Sequence, residues 1–172
     1  METLESLSTF YPPHEQWLAP TLRALGMFAP GPPVPILEVG CGGGRTLRFL
    51  AGSFPTSLLF GVDVDADRIA TARRVLGDRA DLVACDVSAY VPACRFGLIV
   101  FHLSLHDMTI DAAATVLRRS MQWLRPGGCI VVVEILDYLA EPERLFEQAG
   151  FASTDVRIPR DGHVVVAYYR SA

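Results

Sequence analysis

Short apolar runs alternate along the chain with stretches in which apolar residues recur at a helical period. The runs are bounded by turn or charged residues, as is typical of buried β-strands: Ile36–Val39, Leu58–Asp63, Leu82–Asp86, Phe96–Phe101 and Cys129–Ile135. Between the first two runs, a helical period predicts an amphipathic helix with an apolar face of Leu47, Leu50, Ala51 and Phe54. The same period predicts helices around Ile69, around Val116 and after Pro142. Strands that alternate with helices indicate an α/β fold with a mostly parallel sheet.

The end of the chain has a different pattern. Thr154–Ile158 and His163–Tyr169 read as two strands, and Arg160-Asp-Gly162 between them is a hairpin signal. A tight turn joins antiparallel neighbours, so we expect one strand of the sheet to run against the others.

The first 35 residues precede the sheet and have their own pattern. Trp17, Leu18, Leu22 and Leu25 follow a helical period, and Pro20 starts or kinks that helix. The proline-rich stretch 30–35 is a stiff connector. With 172 residues, the chain suits a single domain. We expect a helical lid segment over residues 1–35 and the ligand-binding domain over residues 36–172.

Composition narrows the possible partners. The net charge is −4, all 15 basic residues are arginine, and we see no basic run, which argues against a nucleic-acid partner. No apolar run reaches the ~20 residues of a membrane span, and the N-terminus lacks a signal-peptide pattern, so we expect a cytoplasmic protein. The four cysteines have no metal-ligand spacing, and we predict no metal.

A glycine-rich segment follows the first strand. Its pattern is Glu38-x-Gly40-x-Gly42-x-Gly44, and a helix is predicted to begin near Arg45. Glycine lets the backbone approach a ligand, and a helix N-terminus directs free N–H groups at it. The dinucleotide-binding pattern needs a glycine where Arg45 stands, and the phosphate-binding loop needs a lysine, which this chain lacks. A tight structural turn is the alternative interpretation.

These motifs together resemble a known family. The glycine segment looks like the first motif of the class I S-adenosylmethionine-dependent methyltransferases, Gly61-Val-Asp63 like the second, and Leu124-Arg-Pro-Gly-Gly128 like a later architectural step. The resemblance covers about Val34 to Arg170. It implies a Rossmann-like, seven-stranded, mostly parallel sheet with the last strand antiparallel and helices on both faces. It also implies S-adenosylmethionine as cofactor.

The resemblance assigns cofactor contacts to residues at successive strand ends. Asp63 would bind the ribose hydroxyls and Asp86 the adenine amino group. Asp63 could instead cap the next helix, although Asp65 suits that role better, and Asp86 could simply end its strand in a turn. The full expected cofactor set is Glu38, Gly40, Gly42, Gly44, Asp63, Val64, Asp86, Val87 and His102.

The segment after the fourth strand contains the candidate catalytic residues. His102-Leu-Ser-Leu-His106-Asp107 resembles the Leu-His-Asp stretch of small-molecule O-methyltransferases, in which the histidine is the general base. An imidazole titrates near neutral pH and can accept a proton from a hydroxyl group. On this resemblance His106 is the base, and His102 is a second candidate. Residues expected at the methyl acceptor are Tyr11, His14, His106 and Tyr138.

The expected activity is therefore methyl transfer to a small molecule, more readily at oxygen than at nitrogen or carbon. Two alternatives remain open. The protein could bind the cofactor for a cyclisation or rearrangement, or it could be an inactive subunit that stabilises another methyltransferase. Because few residues separate the fifth strand from the helix at Pro142, the acceptor pocket would be covered by residues 1–35, by nearby loops, or by a second subunit of a homodimer or partner.

Overall fold

The computed structural model describes residues 14–27, 32–152, 156–157 and 164–172. The chain divides into two compact units, Met1–Gly31 and Pro32–Ala172. In the first unit, helix α1 spans His14–Ala24 with Pro20 inside it. Residues 32–35 of the proline-rich connector fall in the second unit, where the carbonyl of Pro35 accepts a hydrogen bond from Gly97 N–H at 2.9 Å.

The second unit alternates strands and helices. In chain order its elements are β1 (Ile36–Val39), α2 (Arg45–Ser53), β2 (Leu59–Asp63), α3 (Ala66–Leu76), β3 (Ala80–Ala84), β4 (Phe96–His102), α4 (Ile110–Met121), β5 (Leu124–Ile135), α5 (Pro142–Ala149), β6 (Val156–Arg157) and β7 (Val164–Arg170). Short 3₁₀ helices lie at Gly77–Arg79 and Leu136–Tyr138.

The strands form one seven-stranded sheet in the order β3-β2-β1-β4-β5-β7-β6. Strands β1 to β5 pair in parallel, whereas β7 pairs antiparallel with both β5 and β6. The predicted mixed sheet is confirmed. Its strand order reverses between β1 and β4, which is the place where open α/β sheets bind ligands.

The alternation of side chains along each strand gives the sheet two buried faces. Leu37 and Phe101 belong to a core cluster that includes Leu117 of α4. On the opposite face a Cβ added to Gly61 would lie 2.7 Å from Leu47 Cδ1, so α2 packs closely there. The prediction of helices on both faces is therefore confirmed.

Two predicted strands have different limits in the structure. Strand β3 spans Ala80–Ala84, not Leu82–Asp86, because it is an edge strand whose residues are mostly exposed, and an apolar run does not mark its start. Strand β5 begins at Leu124, and its pairing with β4 passes from Phe96–Leu124 to Leu98–Cys129. The intervening segment 125–128 is thus an irregularity within the pairing.

The C-terminal prediction is confirmed as far as the structure describes it. Strand β7 spans Val164–Arg170, and the proposed hairpin turn at Arg160-Asp-Gly162 lies outside the described residues. Among the described helices, none combines the length and apolar character needed to cross a bilayer.

Candidate active site

A cavity of about 440 Å³ opens at the carboxyl ends of β1, β2, β3 and β4. Each of these strands contributes the residues that follow it to the wall. The lining residues are Val39, Gly40, Val62, Asp63, Val64, Asp65, Arg68, Cys85, Asp86, Val87, Leu103, Ser104, Asp107 and Met108. The cavity includes the ends of both β1 and β4, between which the strand order reverses.

Gly40 forms the turn out of β1. Its φ of 74° is in the left-handed region, and its N–H donates to the carbonyl of Val62 at 2.8 Å. A Cβ at this position would lie 2.4 Å from Cβ of Ser104, so only glycine fits between the two loops. The turn from β1 therefore lies directly against the segment that follows β4.

Asp63 joins the glycine segment to the end of β2. Its Oδ2 accepts a hydrogen bond from Gly42 N–H at 2.8 Å, and its Oδ1 accepts one from Asp65 N–H at 2.9 Å. Each oxygen of a carboxylate has two lone pairs, so Asp63 keeps acceptor capacity on both oxygens toward the cavity that it lines. The separate helix-capping role belongs to Asp65, which accepts from the N–H groups of Asp67 and Arg68.

Asp86 stands in the loop between β3 and β4. The N–H of the preceding Cys85 donates to the carbonyl of Asp63 at 2.9 Å, which ties this loop to the end of β2. Asp86 Oδ1 accepts from Ser88 N–H at 2.7 Å, and hydrogen bonds from Ser88 lower the pKa of the Asp86 carboxyl. Asp86 and Val87 both line the cavity.

Four predicted cofactor residues are absent from the cavity lining: Glu38, Gly42, Gly44 and His102. Gly44, with a φ of 83°, is the N-cap of α2, and a Cβ there would lie 3.1 Å from Ala72 Cβ of α3. Glu38 is 1% exposed, and burial raises the pKa of its carboxyl well above its ordinary value, against the lowering effect of hydrogen bonds from the Thr46 hydroxyl and a backbone N–H. His102 is also buried, with its Nδ1 3.4 Å from Thr46 Oγ1. Glu38 and His102 therefore belong to the buried polar layer beneath the glycine segment.

His106 lies beside the cavity and is held by a buried carboxylate. Its Nδ1 is 2.9 Å from Oε2 of Glu134, a residue of β5 with 0% exposure. The other oxygen of Glu134 accepts hydrogen bonds from the N–H groups of Ser104 and Leu105, at 2.5 Å and 2.6 Å. Glu134 thus fixes both the imidazole and the backbone of the segment that carries it.

This contact determines which nitrogen of His106 is basic. A carboxylate only accepts hydrogen bonds, so Nδ1 carries the proton that it donates to Glu134, and Nε2 keeps its lone pair. The hydrogen bond to Glu134 raises the pKa of His106, burial opposes this effect, and the charge of Asp107 adds to it. The His106 side chain is 18% exposed, so the imidazole is partly accessible to solvent.

The expected acceptor residues are only partly described. The ring of Tyr138 lies 6.0 Å from that of His106, centroid to centroid, and Tyr138 is 52% exposed. His14 is the first residue of α1, in the first unit, and Tyr11 lies outside the described residues. Of the residues expected at the acceptor, the structure therefore brings together His106 and Tyr138.

Two residues at the site were not singled out from the sequence. Glu134 follows Val131–Val133 in a buried strand, and a lone acidic residue at the carboxyl end of such a run was a usable signal. Ser104 lines the cavity, and its buried Oγ has no hydrogen-bond partner among the described residues. Its contact with Gly40 depends on the pairing of β1 with β4, which local sequence patterns do not reveal.

Comparison with known proteins places these features in a family. Residues 36–128, more than half of the chain, match the family described as "Methyltransferase domain". The chain is 30% identical over 123 residues to trans-aconitate 2-methyltransferase of Acidovorax sp. (strain JS42), which covers 72% of this chain and 46% of the relative. It is 33% identical over 122 residues to ribosomal RNA small subunit methyltransferase C of Salmonella arizonae, covering 67% of this chain and 35% of the relative. The chain thus spans less than half the length of these relatives.

The fold is also similar to a solved structure. The crystal structure of magnesium protoporphyrin IX methyltransferase from Synechocystis PCC 6803 with bound S-adenosylmethionine superposes with a TM-score of 0.71. The alignment covers 92% of this chain and 80% of that chain at 13% identity, so the likeness concerns the fold alone.

Proposed function

This chain belongs to the methyltransferase domain family, and we propose that it transfers a methyl group from S-adenosylmethionine to an oxygen atom of a small-molecule acceptor. The observation that carries this proposal is the hydrogen bond between Asp63 and Gly42 at a cavity built from four strand ends. This bond holds the glycine-rich turn after β1 and the carboxylate at the end of β2 at the same cavity.

The residues at the cavity fit this cofactor. The volume of about 440 Å³ is in the range of small-molecule sites. Gly40 leaves room for close approach, Asp63 offers carboxylate lone pairs to a ribose diol, and Asp86 with Val87 offers an acceptor and an apolar surface to adenine. When bound, the cofactor supplies a methyl group on a sulfonium, which is a good leaving group.

His106 would act as the general base in this reaction. Its Nε2 lone pair can take the proton of a hydroxyl as the oxygen attacks the methyl group. Glu134 holds the ring in the required tautomer and would stabilise the imidazolium that forms. Ser104 and Asp107, on either side of His106 in the chain, line the cavity, and this supports the assignment of His106.

The relatives named above act on different acceptors, so their names do not define an acceptor for this chain. We favour a small molecule over RNA because the net charge is −4 and RNA binding draws on clustered basic residues. Tyr138, exposed beside His106, offers an aromatic face to a planar acceptor.

The proposal is tested with the purified protein and S-adenosylmethionine. We expect the protein to bind S-adenosylhomocysteine in isothermal titration, and to convert hydroxylated aromatic acceptors to products heavier by one methylene unit, as measured by mass spectrometry. Absence of cofactor binding at millimolar concentration would contradict the proposal and favour an inactive partner subunit. Cofactor binding with an acceptor rearranged at unchanged mass would favour the non-methylating alternative.

A Glu134→Gln variant tests the pairing with His106. The amide NH₂ would donate to Nδ1 and favour the tautomer protonated at Nε2, so we expect kcat to fall roughly tenfold to a hundredfold. A base must be unprotonated, and the Glu134 hydrogen bond raises the pKa of His106, so wild-type activity is lost as pH falls through that raised pKa. In the variant this acid limb should move to lower pH. The measurement is a pH profile of kcat.

Glu147→Gln is the matched control, because Glu147 is exposed on α5. It should leave kcat and the acid limb unchanged. An unshifted acid limb in Glu134→Gln would show that Glu134 does not set the protonation of the catalytic group.

A further inference from the structure

The loop between β3 and β4 carries one wall of the cavity without regular secondary structure of its own. Cys85, Asp86 and Val87 line the cavity. Within the loop, Ala89 N–H donates to the carbonyl of Asp86 at 2.9 Å, and Asp86 Oδ1 accepts from Ser88 N–H. These local bonds shape the turn, but they do not fix its position relative to the sheet.

The Cys85 N–H bond to Asp63 holds the start of the loop against β2, and Arg119, near the end of α4, holds the part of the loop that follows Asp86 and Val87. Its Nη1 donates to the carbonyl of Ser88, and its Nη2 donates to the carbonyl of Tyr90 at 3.3 Å. Its guanidinium carbon lies 5.6 Å from the ring centroid of Trp123, and Trp123 in turn packs edge-on against Tyr90 at 5.5 Å. Trp123 and Tyr90 are buried, so the guanidinium is braced by ordered neighbours.

Arg119 is absent from the cavity lining, so its influence would pass through the loop. A planar guanidinium can bridge two carbonyl oxygens at fixed spacing, which a single donor does not do. Holding Ser88 and Tyr90 restricts the backbone that immediately follows Asp86 and Val87. Without this bridge, the loop would regain backbone freedom at a cost to any ligand that requires Asp86 in place.

We propose that Arg119 is a positioning residue that holds Asp86 and Val87 in place to recognise the base of the bound nucleoside. This inference rests on the proposed function, since it takes the cavity as the cofactor site. It predicts that loss of Arg119 weakens the contact between Asp86 and the exocyclic amino group of the base. Binding of the remainder of the cofactor should change little.

The test uses Arg119→Met, which keeps side-chain length and removes the donors, with Arg118→Met as the matched control. Arg118 is the neighbouring arginine on α4, and it donates to Gln148 and Thr115, away from this loop. Isothermal titration compares S-adenosylhomocysteine with S-inosylhomocysteine, which has a carbonyl in place of the amino group. In Arg119→Met we expect adenosyl affinity to fall about fivefold to tenfold and inosyl affinity to change little, so that discrimination shrinks. Arg118→Met should keep both affinities within about twofold of wild type.

Hydrogen exchange of the cofactor-free protein gives a second readout. The amides of Ser88, Ala89 and Tyr90 should exchange faster in Arg119→Met than in wild type or Arg118→Met. Arg119→Lys, which keeps the charge but lacks the planar fork, should give intermediate values, and urea unfolding checks that every variant is folded.

The outcomes separate this inference from the proposed function. A wild-type protein that binds neither nucleoside would overturn the proposed function and the role of Arg119 with it. A wild-type protein that discriminates between the two ligands, and an Arg119→Met variant that discriminates equally well, would overturn the inference alone. Equal loss of affinity for both ligands would also overturn it, because that result indicates general destabilisation.

Discussion

Replacement of His106 by alanine is expected to slow methyl transfer by about 10²–10⁴-fold, the usual contribution of a general base. The loss arises because the variant lacks the Nε2 lone pair that would take the acceptor proton. The imidazole is not in the cavity lining, so the dissociation constant for S-adenosylhomocysteine should stay within about twofold of wild type. Single-turnover rates and isothermal titration measure the two quantities separately.

Added imidazole should restore part of the activity of His106→Ala if the side chain acts as a base. Normal turnover by this variant would refute the assignment while leaving the fold and the cofactor site untouched. His102 is the competing candidate, but its Nδ1 lies 3.4 Å from the Thr46 hydroxyl in the buried layer beneath the glycine segment.

Replacement of Asp63 by alanine is expected to weaken binding of S-adenosylhomocysteine by roughly 100-fold or more. The variant would lose the acceptors for a ribose diol, and hydrogen bonds to a charged group contribute about 1.5–3 kcal/mol each. It would also release the Gly42 N–H, which Asp63 holds at 2.8 Å, so the glycine segment would lose an anchor. Isothermal titration gives the affinity, and urea unfolding gives the stability.

Asp78→Ala is the matched control, since Asp78 is an exposed aspartate in the short helix after α3. Its affinity for the cofactor product should equal that of wild type. The affinity of Asp63→Asn should lie between those of wild type and Asp63→Ala, because its amide oxygen can still accept hydrogen bonds. Tight binding by Asp63→Ala, within about threefold of wild type, would contradict the ribose role.

The features that local sequence reveals are those that depend on one element at a time. The apolar run Ile36–Val39, the glycines after it and the acid at the end of Leu59–Asp63 are each visible in a short window. Because parallel strands end at one edge of the sheet, those windows and the family resemblance together predicted that Gly40, Asp63 and Asp86 face one ligand, and all three residues line the cavity.

The features that were missed depend on pairs of elements far apart in the chain. Glu134 meets His106 only because β4 and β5 pair in a register that sets His102 opposite Val133. Arg119 reads from sequence as a cation suited to a helix C-terminus, yet its guanidinium bridges two carbonyls of a loop about 30 residues earlier. The predicted limits of β3 were wrong because only Leu82 among its residues is buried, so no apolar run marks where the strand begins.

The buried carboxylate of Glu134 also bears on the charge balance of the proposed reaction. Before transfer, the positive charge resides on the sulfonium and His106 is neutral. Afterwards the sulfur is neutral and His106 carries the proton, still 2.9 Å from Glu134. With a neutral hydroxyl acceptor, the proposed reaction would therefore keep one positive charge in the site throughout, and that charge would end on the imidazole beside the Glu134 carboxylate.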